Sequence, residues 1–581
     1  MGPFTTPRLL AAALLLSLAT RAEAQETPTG ILATSDLRPG EKGTVWTVFK
    51  GTTPEPFDVE VAGVIENALG PGKNIILCQL TDPRVQGMGA VAGMSGSPLY
   101  IRGKLAGALS YQVQRFETTR FAGFTPASDL DEVRDQIGAG ASVVSGEPSE
   151  PAYRSLKPVF TLSGLSPGVS ELMRPHLEAL GLSLSALGGS DSGAAAVAPP
   201  ASLRAGDAVS VALATGDITF AGTGTVSEVN GDRVVAFGHP MMGLGEVAMP
   251  MCSASIVTIL PSTYESMKVA NVGAVIGTIQ EDRLSAVSGT LGAGPRMIEV
   301  DVTVDRASGP PRSLHFQVVR HPQLAAALIA SGAAEAIMGS NDAGLAHGFR
   351  IETRTTFSPS QERTTRSVYA GPQGFAQGIA DFATTLGTDR LNPYERTFPS
   401  QVTLTVQALP ENPAVTVELL QLSRTHPQPG DTIQVTLGWR DYQGEEHREI
   451  LPVPIDPSWS GKALEVVAAP GRAMDELTGM PRTVPAAQLR SFDAYLDATR
   501  ALRPTDGLVV AVLERSALLT DQSLAPRDVP ASIERIAHGA DESRFQHREA
   551  LQALWETHVL DGKVAQAVVR RALQIGDAPP P

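Results

Sequence analysis

Residues 90–112 read AVAGMSGSPLYIRGKLAGALSYQ, and Ser95 stands in the turn Gly93-Met94-Ser95-Gly96-Ser97-Pro98 that feeds an apolar hairpin reversing at Arg102-Gly103. Glycines on both sides allow a sharp bend and leave room for a substrate carbonyl. The N–H groups of Gly93 and Ser95 would then converge on one point and stabilise a developing oxyanion. A serine so placed can form an acyl intermediate if a base takes its proton. The second strand of the hairpin, through Ser110-Tyr111-Gln112, offers an edge to an extended peptide. The same stretch also reads as an ordinary Gly/Ser-rich turn, so the base decides between the two.

Of ten histidines, His176, His321 and His426 adjoin prolines in loops or helix starts. His447 sits in a charged turn, and His538, His547 and His558 belong to a polar tail; His315 and His347 stay open. His239 differs, because it ends the run Val234-Val235-Ala236-Phe237 in Gly238-His239-Pro240. A histidine at a strand end can reach across a cleft, or can cap its own loop. For the acid that would orient the imidazole, Asp82 in Leu80-Thr81-Asp82-Pro83-Arg84 competes with Asp217, and Asp82 also reads as an Asx-turn residue before proline. Spacing does not separate them.

These residues need a scaffold, and composition points to a β-rich one. The 581 residues include 56 Gly and 44 Pro, and short Val/Ile/Thr-rich runs alternate with turn clusters throughout. The length allows about three to five domains. A formal net charge of −15 without basic blocks argues against nucleic acid or anionic lipid as partner. Arg8, the apolar run 9–19 and Ala22-Glu23-Ala24 have the layout of a secretory signal peptide. Export to the periplasm or medium is therefore expected, without stable membrane insertion afterwards. Cys78 and Cys252 are the two cysteines; they pair in an oxidising compartment or stay as buried thiols. With no CxxC and no HExxH, neither a metal nor a cofactor is expected.

Along the chain the expected units are a signal peptide (1–24), a serine-bearing β-barrel half (25–140) and a connector with a low-complexity linker at 188–200 (141–200). A histidine-bearing β-barrel half (201–310) follows, with the hairpin signal Asn230-Gly231. Then come an α+β extension (311–400) with helices near 321–339 and 373–386, and a β-sandwich-like unit (401–537) starting at the strand 402–407. The last unit is a helical tail (538–581), in which Leu551, Leu554, Trp555 and Leu560 share a helical face.

Two blocks carry a resemblance. One runs Phe57-Asp58-Val59-Glu60-Val61 and then LTDPRVQGMGAVAGMSGSPLYIRGKLAGAL. The other runs GTGTVSEVNGDRVVAFGHP, continued by MKVANVGAVIGTIQEDRLSAVSGTLG. They resemble the sporulation stage-IV-B family of bacterial serine peptidases. The resemblance implies a serine endopeptidase on a chymotrypsin-like double β-barrel, with its nucleophile on Ser95, its histidine on His239, its acid on Asp82 and a protein or peptide substrate. The halves stand in permuted order, serine before histidine. The next acid after His239 is Glu246, unlike the aspartate that soon follows the family's histidine, and no segment reads as PDZ-like. The expectation is an exported serine endopeptidase. The alternatives are a non-catalytic β-rich envelope scaffold with a peptidase-like fold, and a protein that cleaves only its own 188–200 linker.

Overall fold

The computed structural model describes residues 30–113, 120–137, 153–156, 159–182, 189–190, 202–262, 266–305, 309–339, 347–388, 398–479, 491–521 and 545–576. The expected leader and most of the 188–200 linker lie outside them. The fold is mainly β, with a six-stranded barrel and a large mixed sheet.

The barrel is built from β1 (Lys42–Thr47), β2 (Glu55–Ile65), β3 (Ile75–Leu80), β4 (Pro98–Ile101), β5 (Lys104–Val113) and β6 (Phe121–Pro126). Pairing runs β4-β1-β2-β3-β6-β5 and closes through β4–β5. Alternation places Val45, Phe57, Val59, Ile76, Cys78, Leu99, Leu109 and Phe124 inside, as a period-two pattern demands. The helix α1 (Pro83–Met88) leads to the Ser95 turn, and α2 (Ala127–Asp135) follows β6. The strand β7 (Tyr153–Ser155) then lies on β5.

After β8 (Val159–Ser163), α3 (Pro167–Glu178) and β9 (Gly189–Ser190), the chain enters β10 (Ala208–Gly216), β11 (Thr219–Asn230), β12 (Arg233–Ala236), β13 (Gly245–Leu260), β14 (Met267–Arg283) and β15 (Ala286–Leu291). Their pairings run β10-β13-β14-β15-β12-β11, and β11 pairs again with β10. The strands β16 (Met297–Asp305), β17 (Arg312–Val319), β18 (Gly348–Ser358), β19 (Gln361–Ala370) and β20 (Gln401–Ala408) extend the same sheet from β10. The helices α4 (Ala325–Met338) and α5 (Gly371–Thr388) cover it. An added Cβ at Gly332 would lie 2.1 Å from the Phe316 ring, so this glycine lets α4 sit directly on β17.

Two four-stranded sheets complete the chain. One is β21 (Ala414–Leu422), β22 (Thr432–Asp441), β23 (Glu446–Pro454) and β27 (Val564–Ala565); the other is β24 (Ala463–Ala469), β25 (Leu508–Asp521), β26 (Phe545–Val559) and β28 (Val569–Gln574). They share one core through Leu420, Val435, Leu437, Val466, Val510 and Val512, a sandwich. The short helix α6 (Gly471–Leu477) flanks it, whereas α7 (Phe492–Arg500) packs through Phe492, Tyr495 and Leu496 on Phe357 of the large sheet.

The structure corrects two expectations. Where the expected helical tail (538–581) is described, at 545–576, it is instead β26, β27 and β28. Leu554 and Trp555 face the sandwich core while Leu551 and Ala553 pack on the α6 side. A strand with apolar cover on both faces crowds its hydrophobic residues into spacings that imitate a helix. The strand expected at 402–407 joins the large sheet as β20, parallel to β16, rather than the sandwich.

The two β-rich halves meet along a seam. Gly51 and Ile256 exchange backbone hydrogen bonds of 2.7 and 2.8 Å. Leu130 and Val133 of α2 pack with Ala108, Val235 and Ala286, and Arg134 pairs with Glu228 at 2.9 Å. The Ser95 turn lies in this seam. Gly96 has φ +93°, and an added Cβ would stand 2.0 Å from the Thr225 oxygen and 2.5 Å from the Phe237 nitrogen. Gly96→Ala should therefore cost at least about 3 kcal/mol in urea unfolding, combining backbone strain with a clash against main chain. Gly103→Ala is the control: it shares the positive φ, +72°, but opens into space and should cost only about 1–2 kcal/mol. Equal losses would contradict the packing described.

Candidate active site at the seam

The Ser95 turn is fixed from both sides. From its own barrel, the Gly96 N–H donates to the Leu109 oxygen at 2.7 Å, and Leu109 returns a bond to Ser97 at 2.9 Å. The Ser97 hydroxyl closes the turn on the Met94 carbonyl at 2.6 Å. From the other half, β11 donates to three carbonyls of the turn: Thr225 N–H to Ser95 at 2.8 Å, Thr225 Oγ1 to Gly93 at 3.2 Å, and Ser227 Oγ to Gly96 at 2.9 Å. With these carbonyls drawn toward β11, the N–H groups of Gly93 and Ser95 donate no hydrogen bond among the described residues. Unpaired N–H donors are what an oxyanion hole requires.

The histidine arrives through strained backbone. Phe237 has φ +71° and Gly238 φ +67°; a phenylalanine in the left-handed region is held there by its surroundings. Its N–H donates to the Thr225 oxygen at 3.1 Å, and its ring fills the space a side chain at Gly224 would need. The Gly238 carbonyl accepts from Thr125 Oγ1 at 2.6 Å. Thr225 is thus bonded both to the serine turn and to the strand end that carries His239.

Ser95 and His239 are both fully buried. Among the described residues neither Ser95 Oγ nor His239 Nε2 has a hydrogen-bond partner, so no bond joins them. His239 Nδ1 lies 2.7 Å from the Pro240 oxygen. A carbonyl only accepts, so Nδ1 carries the proton and Nε2 of the neutral ring is the lone-pair nitrogen. Burial pushes the His239 pKa down to about 4, against the opposing pull of the Pro240 carbonyl. The ring is therefore neutral at pH 7 and presents a base at Nε2.

Asp82 is placed otherwise than expected. Its carboxylate caps α1, accepting from the Arg84 N–H at 2.8 Å, and pairs with the Arg84 guanidinium at 2.9 Å. That guanidinium holds its pKa below the usual carboxylate value, and His239 is oriented by Pro240 instead. The competitor Asp217 is exposed and accepts from the His315 N–H at 2.7 Å. The edge expected at Ser110-Tyr111-Gln112 is also corrected. Tyr111 and Gln112 pair with β6 on one side and β7 on the other, while Ser110 is buried with its Oγ donating to Ala108. A strand flanked on both sides has no free edge. Cys78 and Cys252 are free, buried thiols in different halves, each pushed up to about 12 by burial.

Two further groups escaped the sequence reading. Asp282 is buried and binds the loop after His239, accepting from the N–H groups of Met241 at 2.7 Å, Met242 at 2.9 Å and Leu244 at 3.1 Å. Burial raises its pKa and these N–H donors oppose the rise. Nothing local marks it; the β13–β14 register, with Gly245 opposite Asp282, brings it beside the loop. Lys268 is fully buried, with Nζ donating to Thr47 Oγ1 at 2.8 Å and its stem 3.1–3.4 Å from where a Gly93 Cβ would stand. Burial lowers its pKa to about 7.

Residues 16–120 match the family model described as SpoIVB peptidase S55. The matched stretch carries Asp82, Gly93 and Ser95 and ends before His239. It implies a serine peptidase acting on a protein substrate. The chain matches no curated protein and no solved structure. Among the described residues, no helix is long and apolar enough to cross a membrane.

The lysine yields a test of the seam. The unfolded chain holds the Lys268 proton up to about 10.5 and the folded chain only to about 7, so stability rises with pH across that window. Lys268→Met should be more stable than wild type at pH 7, by a margin on the order of a few kcal/mol. Thermal unfolding should show that margin shrinking toward pH 10; a margin independent of pH would mean the amine is solvated.

Proposed function

We propose that the chain is a serine endopeptidase whose two β-rich halves form a permuted, chymotrypsin-like double barrel, with the reaction centred on the seam between them. One observation carries this reading: Ser95 Oγ and His239 Nε2 are both buried without a partner, on segments tied to the same residue, Thr225. In the reaction His239 Nε2 takes the Ser95 proton as Oγ attacks the peptide carbonyl. The N–H groups of Gly93 and Ser95 receive the oxyanion. The imidazolium then protonates the leaving amine, and water hydrolyses the acyl-enzyme through the same base. The match of residues 16–120 to a peptidase family supports the assignment of chemistry. Export, supported by the leader-like residues 1–24, belongs to the same proposal.

A second reading, a non-catalytic scaffold, is favoured by one fact: Ser95 and His239 have no solvent exposure. Substrate reaches them only if the seam opens, as lids do in many enzymes. A fluorophosphonate probe distinguishes the two. Wild-type protein should be labelled and Ser95→Ala should not, whereas absence of label in both leaves the scaffold. Because the Ser95 nucleophile depends on neutral His239, the labelling rate should rise with pH through about 4 rather than through 6.5. An inflection near 6.5 would place His239 in water and contradict the site described.

A further inference from the structure

We propose that Asp282 is the positioning acid of this site and acts on His239 through a single peptide group. The inference rests on the assignment of His239 as the base. The Pro240 carbonyl and the Met241 N–H belong to one planar peptide unit, with the two bonds directed oppositely. Asp282 Oδ1 accepts from the Met241 N–H at 2.7 Å, and the Pro240 oxygen at the other end of the same unit lies 2.7 Å from His239 Nδ1. Carboxylate, peptide and imidazole therefore form one continuous hydrogen-bonded chain.

Such a chain does two things. It fixes the plane of the peptide, so that its carbonyl points at Nδ1 and selects the Nδ1–H tautomer. It also polarises the peptide: negative charge at the N–H end drives electron density toward the carbonyl oxygen and strengthens it as an acceptor. Asp282 Oδ2, bound to Met242 and Leu244, keeps the carboxylate from rotating away. No covalent step is involved, and the proton on Nδ1 stays there.

The test uses the full-length protein with uniform ¹⁵N labelling of histidine, and a fluorophosphonate as probe in place of the unidentified substrate. Wild type should show His239 at pH 7 as the Nδ1–H tautomer alone. Asp282→Asn keeps size but loses the charge, and its amide NH₂ faces N–H donors. It should give a mixed or Nε2–H tautomer and label about tenfold to a hundredfold more slowly than wild type. Asp282→Glu, which restores charge one methylene out of place, should recover less than full rate and is the second variant if Asn does not fold. A role confined to loop stability would lower the unfolding temperature while leaving tautomer and labelling rate unchanged in a folded variant, and that result overturns the proposal. An Nε2–H tautomer in wild type overturns it as well. Failure of the peptidase reading is a separate outcome: wild type then takes no label at all, while the tautomer comparison still decides the role of Asp282.

Discussion

The site depends on how closely two pieces of main chain approach at the seam. At Gly96, β11 and the Phe237 corner come so near that no side chain fits. Removing a single Cβ lets the serine turn use β11 as its hydrogen-bond partner, which satisfies three turn carbonyls and leaves two N–H groups unspent. The strain at Phe237 is the counterpart of this contact, since the corner must turn sharply to stay on Thr225 and still deliver His239. Burial then sets the chemistry: desolvation keeps the imidazole neutral, and with a carbonyl on Nδ1 only one tautomer is consistent.

Much of the local structure was legible because short-range rules govern it. The hairpin that reverses at Arg102-Gly103, the Asn230-Gly231 reversal and the helices near 321–339 and 373–386 all follow from turn chemistry and period-two or helical spacing. The serine turn was legible for the same reason, as its glycines are contiguous in sequence. What failed were features fixed by distant partners. The Ser110-Tyr111-Gln112 stretch has the pattern of an edge strand, but β7, some forty residues later, occupies that edge. The residues around Trp555 have helical spacing because two cores flank one strand, which no window of sequence reveals.

The acid shows the same division. Asp82 sits in a motif that draws the eye, yet its charge is already spent on the helix it caps and on Arg84. Asp282 sits in an unremarked Glu-Asp-Arg run, and only strand pairing carries it to the loop after His239. A carboxylate that acts through backbone rather than on the imidazole directly leaves no side-chain signature beside the histidine.

The seam also carries a consequence in time. Its hydrogen bonds join residues separated by about 130 positions, Gly93 to Thr225 and Gly96 to Ser227. Contacts so distant form late, after the loop between them has been closed. A chain emerging from its N-terminus presents the serine turn well before the strand that shapes it and the histidine that would activate it have been made. The nascent protein therefore passes through its synthesis with the serine turn unshaped, and the seam arrangement arrives only with the completed fold.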